Sequence, residues 1–593
     1  MTRMDGCLHS RAYWVSKSII AWNVDMLDGS CYLYASKAAA LSFSNSGIQG
    51  HDVEIKLEGD NDRLPVNVRY EFFHAYCYET SDGKCINATG LQLPGVLDEL
   101  FSYDGPLGAV FSNDSVSVHL WAPTAQDVQA LIYSDPCGVE PIDIVKLEEA
   151  NGVWTSIGPR SWEGCYYVYE VSVYHPSTLQ IEKCIANDPY ARGLSADGNR
   201  TLLVNLESDG LKPEGWDDLA VEKPDLLSFS EISIYELHVR DFSASDDTVH
   251  PGIRSSYLAF TSQDSAGILH LKRLSAAGLT HVHLLPTFQF AGVEDEKYKW
   301  KCAVLWGVPK GSYASDPTGP SRIVEFRKMV QALNRIGLRV VLDVVYNHVH
   351  ASGPFDEKSV LDKIVPGYYL RRNTDGFIEH STCVNNTASE HVMVDGFRFD
   401  LMGHLMKRTM LAKLQEAGTP GPDTVSPPPS TMNTDSDDIQ RNSIDRMRGI
   451  RWKNLPEKKM DSALVGEREK LEVKAKSMLQ GLLKEKSGVD GSSIYIYGEG
   501  WDFGEVAKNG RGINAAQFNL HGTGIGSFND RIRDALLGGS PFGHPLQQGF
   551  VTGLSLQPNG HDHGSKAATE RMLAVSMDHI QAIPTHMVHD NLD

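Results

Sequence analysis

The sequence predicts a multidomain chain: N-terminal β domains, the second of them a β-sandwich, followed by an α/β (β/α)8 TIM-type barrel whose series of units is incomplete. Three observations predict it. Short runs with period-two apolar alternation crowd the first 222 residues. From residue 232 onward, strand-like runs alternate with amphipathic helical ones, the pattern of a parallel sheet. Two acids, Asp400 and Glu499, each close a short, mostly apolar run.

In chain order, residues 11–100 carry alternating runs such as SIIAW (18–22) and RYEFFHAY (69–76), broken by Gly/Asp/Asn turns, and read as a small β domain. Residues 101–222 alternate more clearly, in SVSVHLW (115–121) and YYVYEVSVY (166–174), with turns at Ala122-Pro123 and Asn151-Gly152. That pattern suggests a β-sandwich. Its Trp121, Trp154 and Trp162 have the flat faces that stack on sugars, but in a sandwich such rings more often pack in the core or rim, and they are not assigned as ligands.

Residues 223–593 are the barrel region. ISIYELHVRDFS (232–243) reads as its first strand, GILHLKRLSAAG (267–278) as a helix stopped by glycine, and LTHVHLLP (279–286) as the second strand. VEFRKMVQALNRIG (324–337) is a further amphipathic helix and leads into GLRVVLDVVYNH (337–348), a strand that presents Asp343, Asn347 and His348 where it gives way to loop.

Composition bounds what such a chain does. At 593 residues with 41% hydrophobic side chains it exceeds one core and has ample material for several. A net charge of −21 argues against nucleic acid or an anionic membrane as partner and suits a neutral polymer. Nine cysteines, spread from Cys7 to Cys383 without paired close spacing, suggest reduced thiols and neither a disulfide framework nor a zinc site. The first ten residues lack signal- or transit-peptide character, and no apolar run is long enough to span a bilayer.

The chemistry is carried by the strand-end acids. VDGFRFD (394–400) and IYIYGEGWDF (494–503) read as buried strands that deliver Asp400 and Glu499 to the C-terminal rim, where the active sites of parallel α/β barrels lie. On adjacent strands about 4.8 Å apart, such acids can hold their carboxyls at roughly 5 to 5.5 Å, the spacing of retaining glycosidases. Arg398 stands two residues before Asp400, so both share one strand face and the guanidinium can keep the carboxylate ionised. An isolated Asp after a strand is more often a helix N-cap, and an isolated Glu in a glycine-rich turn is more often solvated. For Asp400 and Glu499 that reading is reversed by three strand-end motifs in order together with the family resemblance of the wording around each, whereas for Asn347 a structural turn role stands level with a ligand role.

DVVYNH, DGFRFD and GEGWDF, in that order, resemble three signature regions of the α-amylase superfamily of glycoside hydrolases. DGFRFDLMGH (395–404), YGEGWDF (497–503), VLWGVPKGSYASDP (304–317) and GTGIGSFNDRIRDA (522–535) narrow the resemblance to the pullulanase branch, and most closely to plant-type limit dextrinase. LWAPTAQDV and NDPYARGLSADG resemble the starch-associated carbohydrate-binding module that precedes the barrel in debranching enzymes. The resemblance implies retaining hydrolysis of α-1,6 branch linkages in pullulan, limit dextrins and amylopectin-derived glucans. Asp400 matches the nucleophile and Glu499 the general acid/base; Asp343, Asn347, His348, Arg398, His404 and Trp501 fall in the substrate-binding set. It implies a branched α-glucan as partner and a plastid location, with the cytosol as the alternative. No cofactor and no metal ligand are assigned; structural calcium is known in the superfamily, but no compact acidic loop marks a site.

Against the family pattern, the sequence predicts four departures. Residues 287–303 lack the aromatic loop that walls the cleaved sugar. Residues 351–393 show no sustained helical face for the crossover that a parallel connection requires. The Pro/Ser/Thr/Asp-rich stretch 418–440 opens an insertion reaching about residue 465 that reads as disordered, either a tolerated loop or retained intron sequence. After Ala535 the late strands are not recognisable, although His589, Asp590 and Asn591 echo a fourth signature region. These departures leave a second reading open, a catalytically inactive glucan-binding or aberrantly spliced or truncated product of the same family. Among enzymes, α-amylase or branching enzyme is the runner-up.

Overall fold

The computed structural model describes residues 11–22, 30–44, 47–57, 67–77, 85–103, 105–219, 224–226, 228–290, 295, 303–346, 349–370, 372, 378, 396–404, 495–502, 504–509, 513–520, 525–529, 533–534, 536, 548–549, 551 and 585–586. Among these residues, the N-terminal region folds as a six-stranded mixed sheet. Its strands Ser30–Ser36 and Glu71–Cys77 pair antiparallel over their length.

The next region is the expected sandwich: a four-stranded sheet built on Ser115–Trp121 and Val153–Pro159, and a five-stranded sheet built on Ala125–Tyr133 and Tyr166–His175. The inward positions Val116, Val118 and Leu120 of one sheet and Val128, Ala130 and Ile132 of the other are fully buried, which is the two-residue period seen in the sequence. Trp121, Trp154 and Trp162 are buried core residues. Trp121 donates its Nε1–H to the Phe101 carbonyl (2.8 Å) and Trp154 to the Ala122 carbonyl (2.9 Å), which satisfies the polar edge of each ring.

The barrel region contributes seven parallel strands in sequential order: β1 Ile234–Leu237, β2 His281–Leu284, β3 Arg339–Val344, β4 Gly396–Phe399, β5 Tyr495–Gly498, β6 Gly526–Phe528 and β7 Thr585–His586. Among the described residues β1 and β7 are its two edges, so the sheet is an unclosed barrel wall. Helix α1 (Ala266–Ala276) joins β1 to β2 and α2 (Ser321–Arg335) joins β2 to β3. The Ser265 hydroxyl caps α1 by accepting the Ile268 N–H, and Gly337, at φ +85°, turns the chain out of α2 into β3.

Register divides the sheet into two faces. Val282, Leu284, Val340, Leu342, Val344, Phe399 and Ile496 face outward and pack with Ile268 and Leu271 of α1 and Phe326, Met329, Val330 and Leu333 of α2. Each of these helix side chains contributes about 2 kcal/mol on burial. Ile234, Val341, Tyr495, Tyr497 and Phe528 face inward and make a separate cluster, the packed floor beneath the rim.

Buried charges join the sandwich to the barrel. The N–H of Asp197 in the sandwich donates to the Asp295 carboxylate (2.7 Å) and that of Asp295 donates back to Asp197 (2.6 Å), while Lys310 Nζ lies 2.6 Å from Asp295. Arg322 of α2 donates to the Ser195 carbonyl (3.1 Å). Between Pro286 and Val304, strands Phe288–Phe290 and Ala303–Pro309 form an antiparallel ribbon with Asp295 in its loop. The ribbon is thereby tied to the sandwich; residues 291–294 and 296–302, in the stretch expected to lack an aromatic loop, lie outside the described set. The crossover after β3 begins with one short helix, Leu361–Ile364, and most of 373–395 likewise lies outside it.

Asp362 makes a second junction. Its carboxylate faces His175 of the sandwich (3.6 Å) and Arg372 (3.4 Å) and accepts the N–H groups of Gly353 (2.9 Å) and Gly367 (3.2 Å). Burial opposes its charge, but His175, Arg372 and the Gly353 N–H outweigh burial and hold it at about 2. A depressed carboxyl contributes stability that is present above its ordinary value of 3.8 and is lost as pH falls toward 2. Asp362→Asn is therefore expected to cost about 2 kcal/mol near neutral pH. The gap from the parent should narrow in thermal unfolding below about pH 4, and a gap independent of pH would refute this origin.

Candidate active site

The rim above β3, β4 and β5 brings five polar side chains together. Asp343 of β3 is level with Arg398 of β4, and Arg398 with Tyr497 of β5. Asp400 follows β4 and Glu499 follows β5; their backbone N–H groups reach the Val344 and Phe399 carbonyls at 3.0 and 3.2 Å, which extends the ladder one step beyond each strand.

Arg398 is the hub. Its Nη1 donates to Asp343 (2.9 Å) and Asp400 (3.1 Å), and its Nη2 to Glu499 (2.5 Å). The two-residue period places Arg398 and Asp400 on one face, as the sequence predicts; the contact with Glu499 comes from the neighbouring strand. Arg398 and Asp343 side chains are 3% and 4% exposed, whereas Asp400 and Glu499 are 24% and 15% exposed and reach toward solvent. Burial penalises the guanidinium, yet Asp343, Glu499 and Asp400 together hold its proton more tightly than usual.

The acids differ in environment. Burial raises Glu499 above the ordinary carboxyl range; Arg398 pulls it down, Asp400 and Asp343 push it up, and the net direction is up. For Asp343 burial also favours the neutral form, but Arg398 and His283 overcome it and the group lies below its usual range. One rim thus holds Glu499, a carboxyl biased toward its protonated form, beside Asp400, which accepts from Arg398, and glycoside hydrolysis divides its acid and nucleophile between two such neighbouring carboxyls.

Backbone geometry holds Glu499. Leu401 adopts φ +40°, unusual for a residue with a side chain, and directs its N–H at Glu499 Oε2 (3.0 Å). Gly403 is required nearby: a Cβ there would lie 1.9 Å from the carbonyl oxygen of Trp501.

Trp501 itself is half-buried and packs on the cluster of Val341, Tyr495, Tyr497 and Phe528. Asn347, His348, His589, Asp590, Asn591 and the 418–465 stretch lie outside the described residues, as does the side chain of His404. Sequence reasoning missed Glu236 and His283, which continue the charged layer past Asp343. The signal present was alternation: His281 and His283 stand at every second position of an otherwise apolar strand. Among the described residues, no group of three His, Cys, Asp or Glu is arranged to hold a metal, and no helix is long and apolar enough to cross a membrane.

The chain resembles known proteins over most of its length. The Pullulanase N2 domain matches residues 9–80, and carbohydrate-binding module 48 (isoamylase N-terminal domain) matches residues 106–191. The chain is 56% identical to Pullulanase 1, chloroplastic, of Arabidopsis thaliana over 98% of its own length and 61% of that protein. It is 30% identical to the pullulanase of Klebsiella pneumoniae over 93% of this chain and 55% of that one. The maltotriose complex of PulA from Klebsiella pneumoniae superposes with a TM-score of 0.75 at 29% identity, covering 96% of this chain and 65% of that one. The chain therefore spans about three fifths of the length of the relatives it matches.

Proposed function

The chain belongs to the pullulanase family of the α-amylase superfamily, and from that premise we propose that it is a retaining glycoside hydrolase cleaving α-1,6-glucosidic branch linkages in pullulan, limit dextrins and amylopectin-derived glucans. The observation that carries the reading is the shared guanidinium of Arg398, which draws Asp400 and Glu499 to one point of the rim while burial biases Glu499 toward its protonated form.

Glu499 donates its proton to the leaving glycosidic oxygen as Asp400 attacks the anomeric carbon, and a glycosyl-enzyme ester forms. The departing chain leaves Glu499 ionised, and Glu499 then takes a proton from the water that releases the sugar. Two inversions at the same carbon give net retention. Arg398 orients both acids, and Asp343 orients Arg398. Asn347, His348, His404 and Trp501 complete the substrate-binding set by family resemblance. The regions 11–100, 101–222 and 223–593 serve as N-terminal β domain, glucan-associated sandwich and catalytic barrel. A chloroplastic relative supports a plastid location.

Incubation with pullulan is expected to release reducing ends that are initially α-configured by proton NMR, with linear α-1,4 glucan left intact. Release from the linear glucan alone, or no release from pullulan, would overturn the reading.

A further inference from the structure

The charge series that ends at Asp400 and Glu499 also continues in the opposite direction along the sheet. His283 of β2 lies between Glu236 of β1 and Asp343 of β3, with Nδ1 3.2 Å from Glu236 and Nε2 3.4 Å from Asp343. Register makes this meeting a property of the sheet. Glu236 is level with His283, and Asp343 stands two residues beyond Val341, the partner of His283, on the same face. The Tyr497 ring of β5 closes the site edge-on, its centroid 6.1 Å from the imidazole.

The ring is buried, its side chain 2% exposed, while that of Glu236 is 33% exposed. Burial disfavours a charged imidazole, but the Asp343 and Glu236 carboxylates that face its two nitrogens outweigh it, and the group is raised above its ordinary value. Among the described residues, Arg398 is the other cation beside Asp343.

We propose that His283, carried as an imidazolium between Glu236 and Asp343, is a positioning residue for the acid pair: it shares the charge of Asp343 and so leaves Arg398 to hold Asp400 and Glu499. Nη1 of Arg398 is divided between Asp343 and Asp400. When the imidazole loses its proton, Asp343 depends more heavily on Arg398 and draws the guanidinium toward β3, away from the acid on β5. The proton that leaves His283 passes to solvent on the exposed Glu236 side, and no covalent bond changes. This inference rests on the roles proposed above for Asp400 and Glu499.

The test is the alkaline limb of the kcat–pH profile on pullulan, measured in the full chain. Glu236→Gln removes one of the two carboxylates that hold the imidazole proton, so the limb is expected to move to lower pH by roughly one unit with KM unchanged. His283→Gln is expected to lower kcat about tenfold at the optimum. In that background, adding Glu236→Gln should leave the limb where it is, because the group through which residue 236 acts is gone. A limb unmoved by Glu236→Gln, or moved equally in both backgrounds, overturns the proposal. If His283→Gln fails to fold by thermal unfolding, Glu236→Gln alone decides by the same limb. Activity surviving in Asp400→Asn would overturn the catalytic assignment; activity lost there with an unmoved limb in Glu236→Gln removes only the role of His283.

Discussion

Asp400→Asn is expected to lower kcat on pullulan by on the order of 10⁴-fold while changing KM little. The amide keeps the shape of the carboxylate and an oxygen that can accept from Arg398, so the packing of the rim survives. It has no charge with which to attack the anomeric carbon, and the covalent route closes. The substitution also removes one of the negative charges that push Glu499 upward, so the proton on the acid is held less tightly. Both effects fall on the chemical step. The measurement is steady-state kinetics with thermal unfolding as the check on folding, and a variant within tenfold of the parent in kcat would sink the nucleophile assignment.

Arg398→Leu is expected to be damaging in a different way, costing about 3 to 5 kcal/mol of stability as well as activity. Asp343 is almost completely buried, and without the guanidinium it keeps, among the described residues, His283 as its charged partner within contact. A buried pair broken on one side leaves an uncompensated charge, and that penalty exceeds what the intact pair contributed. Asp343 is depressed in the folded state. Its contribution is therefore present above the ordinary carboxyl value and disappears as pH falls through the folded one. Thermal unfolding should show the largest gap from the parent near neutral pH and a smaller one below about pH 4. Arg398→Lys retains a charge without the planar fork, so it should recover part of the stability and little of the activity, because one ammonium cannot hold acids from two strands at once. A leucine variant as stable as the parent at pH 7 would refute the argument.

Much of this was legible before any fold was seen. The strands around Asp343 and Arg398 announce themselves by β-branched and apolar runs, and the helix at residues 266–276 by its helical spacing and glycine stop. The pairing of Arg398 with Asp400 follows from a two-residue separation in an extended chain, which leaves the backbone no other face to choose. Placement of Asp400 and Glu499 beyond the strand ends follows in the same way. All these features depend on the dihedrals and side chains of residues within a few positions of one another.

What tertiary structure decided is everything that depends on register between distant segments. Glu236, His283 and Asp343 are separated by tens of residues and meet because α1 and α2 pack their apolar faces on the outer side of the sheet, which sets how far each strand slides past the next. One residue of slip would turn His283 out toward the helices and Val282 and Leu284 away from the helix faces they pack on. The junctions at Asp295 and Asp362 are of the same kind, since the sandwich adds an opposing N–H or imidazole to the partners that the barrel region itself gives each buried carboxylate. The sequence by itself determined which acids stand at the rim and which arginine accompanies them, because local backbone geometry suffices for that. The tertiary structure alone decided that one guanidinium serves three carboxylates and that a histidine stands behind it, because those contacts exist only at the register the packed helices impose.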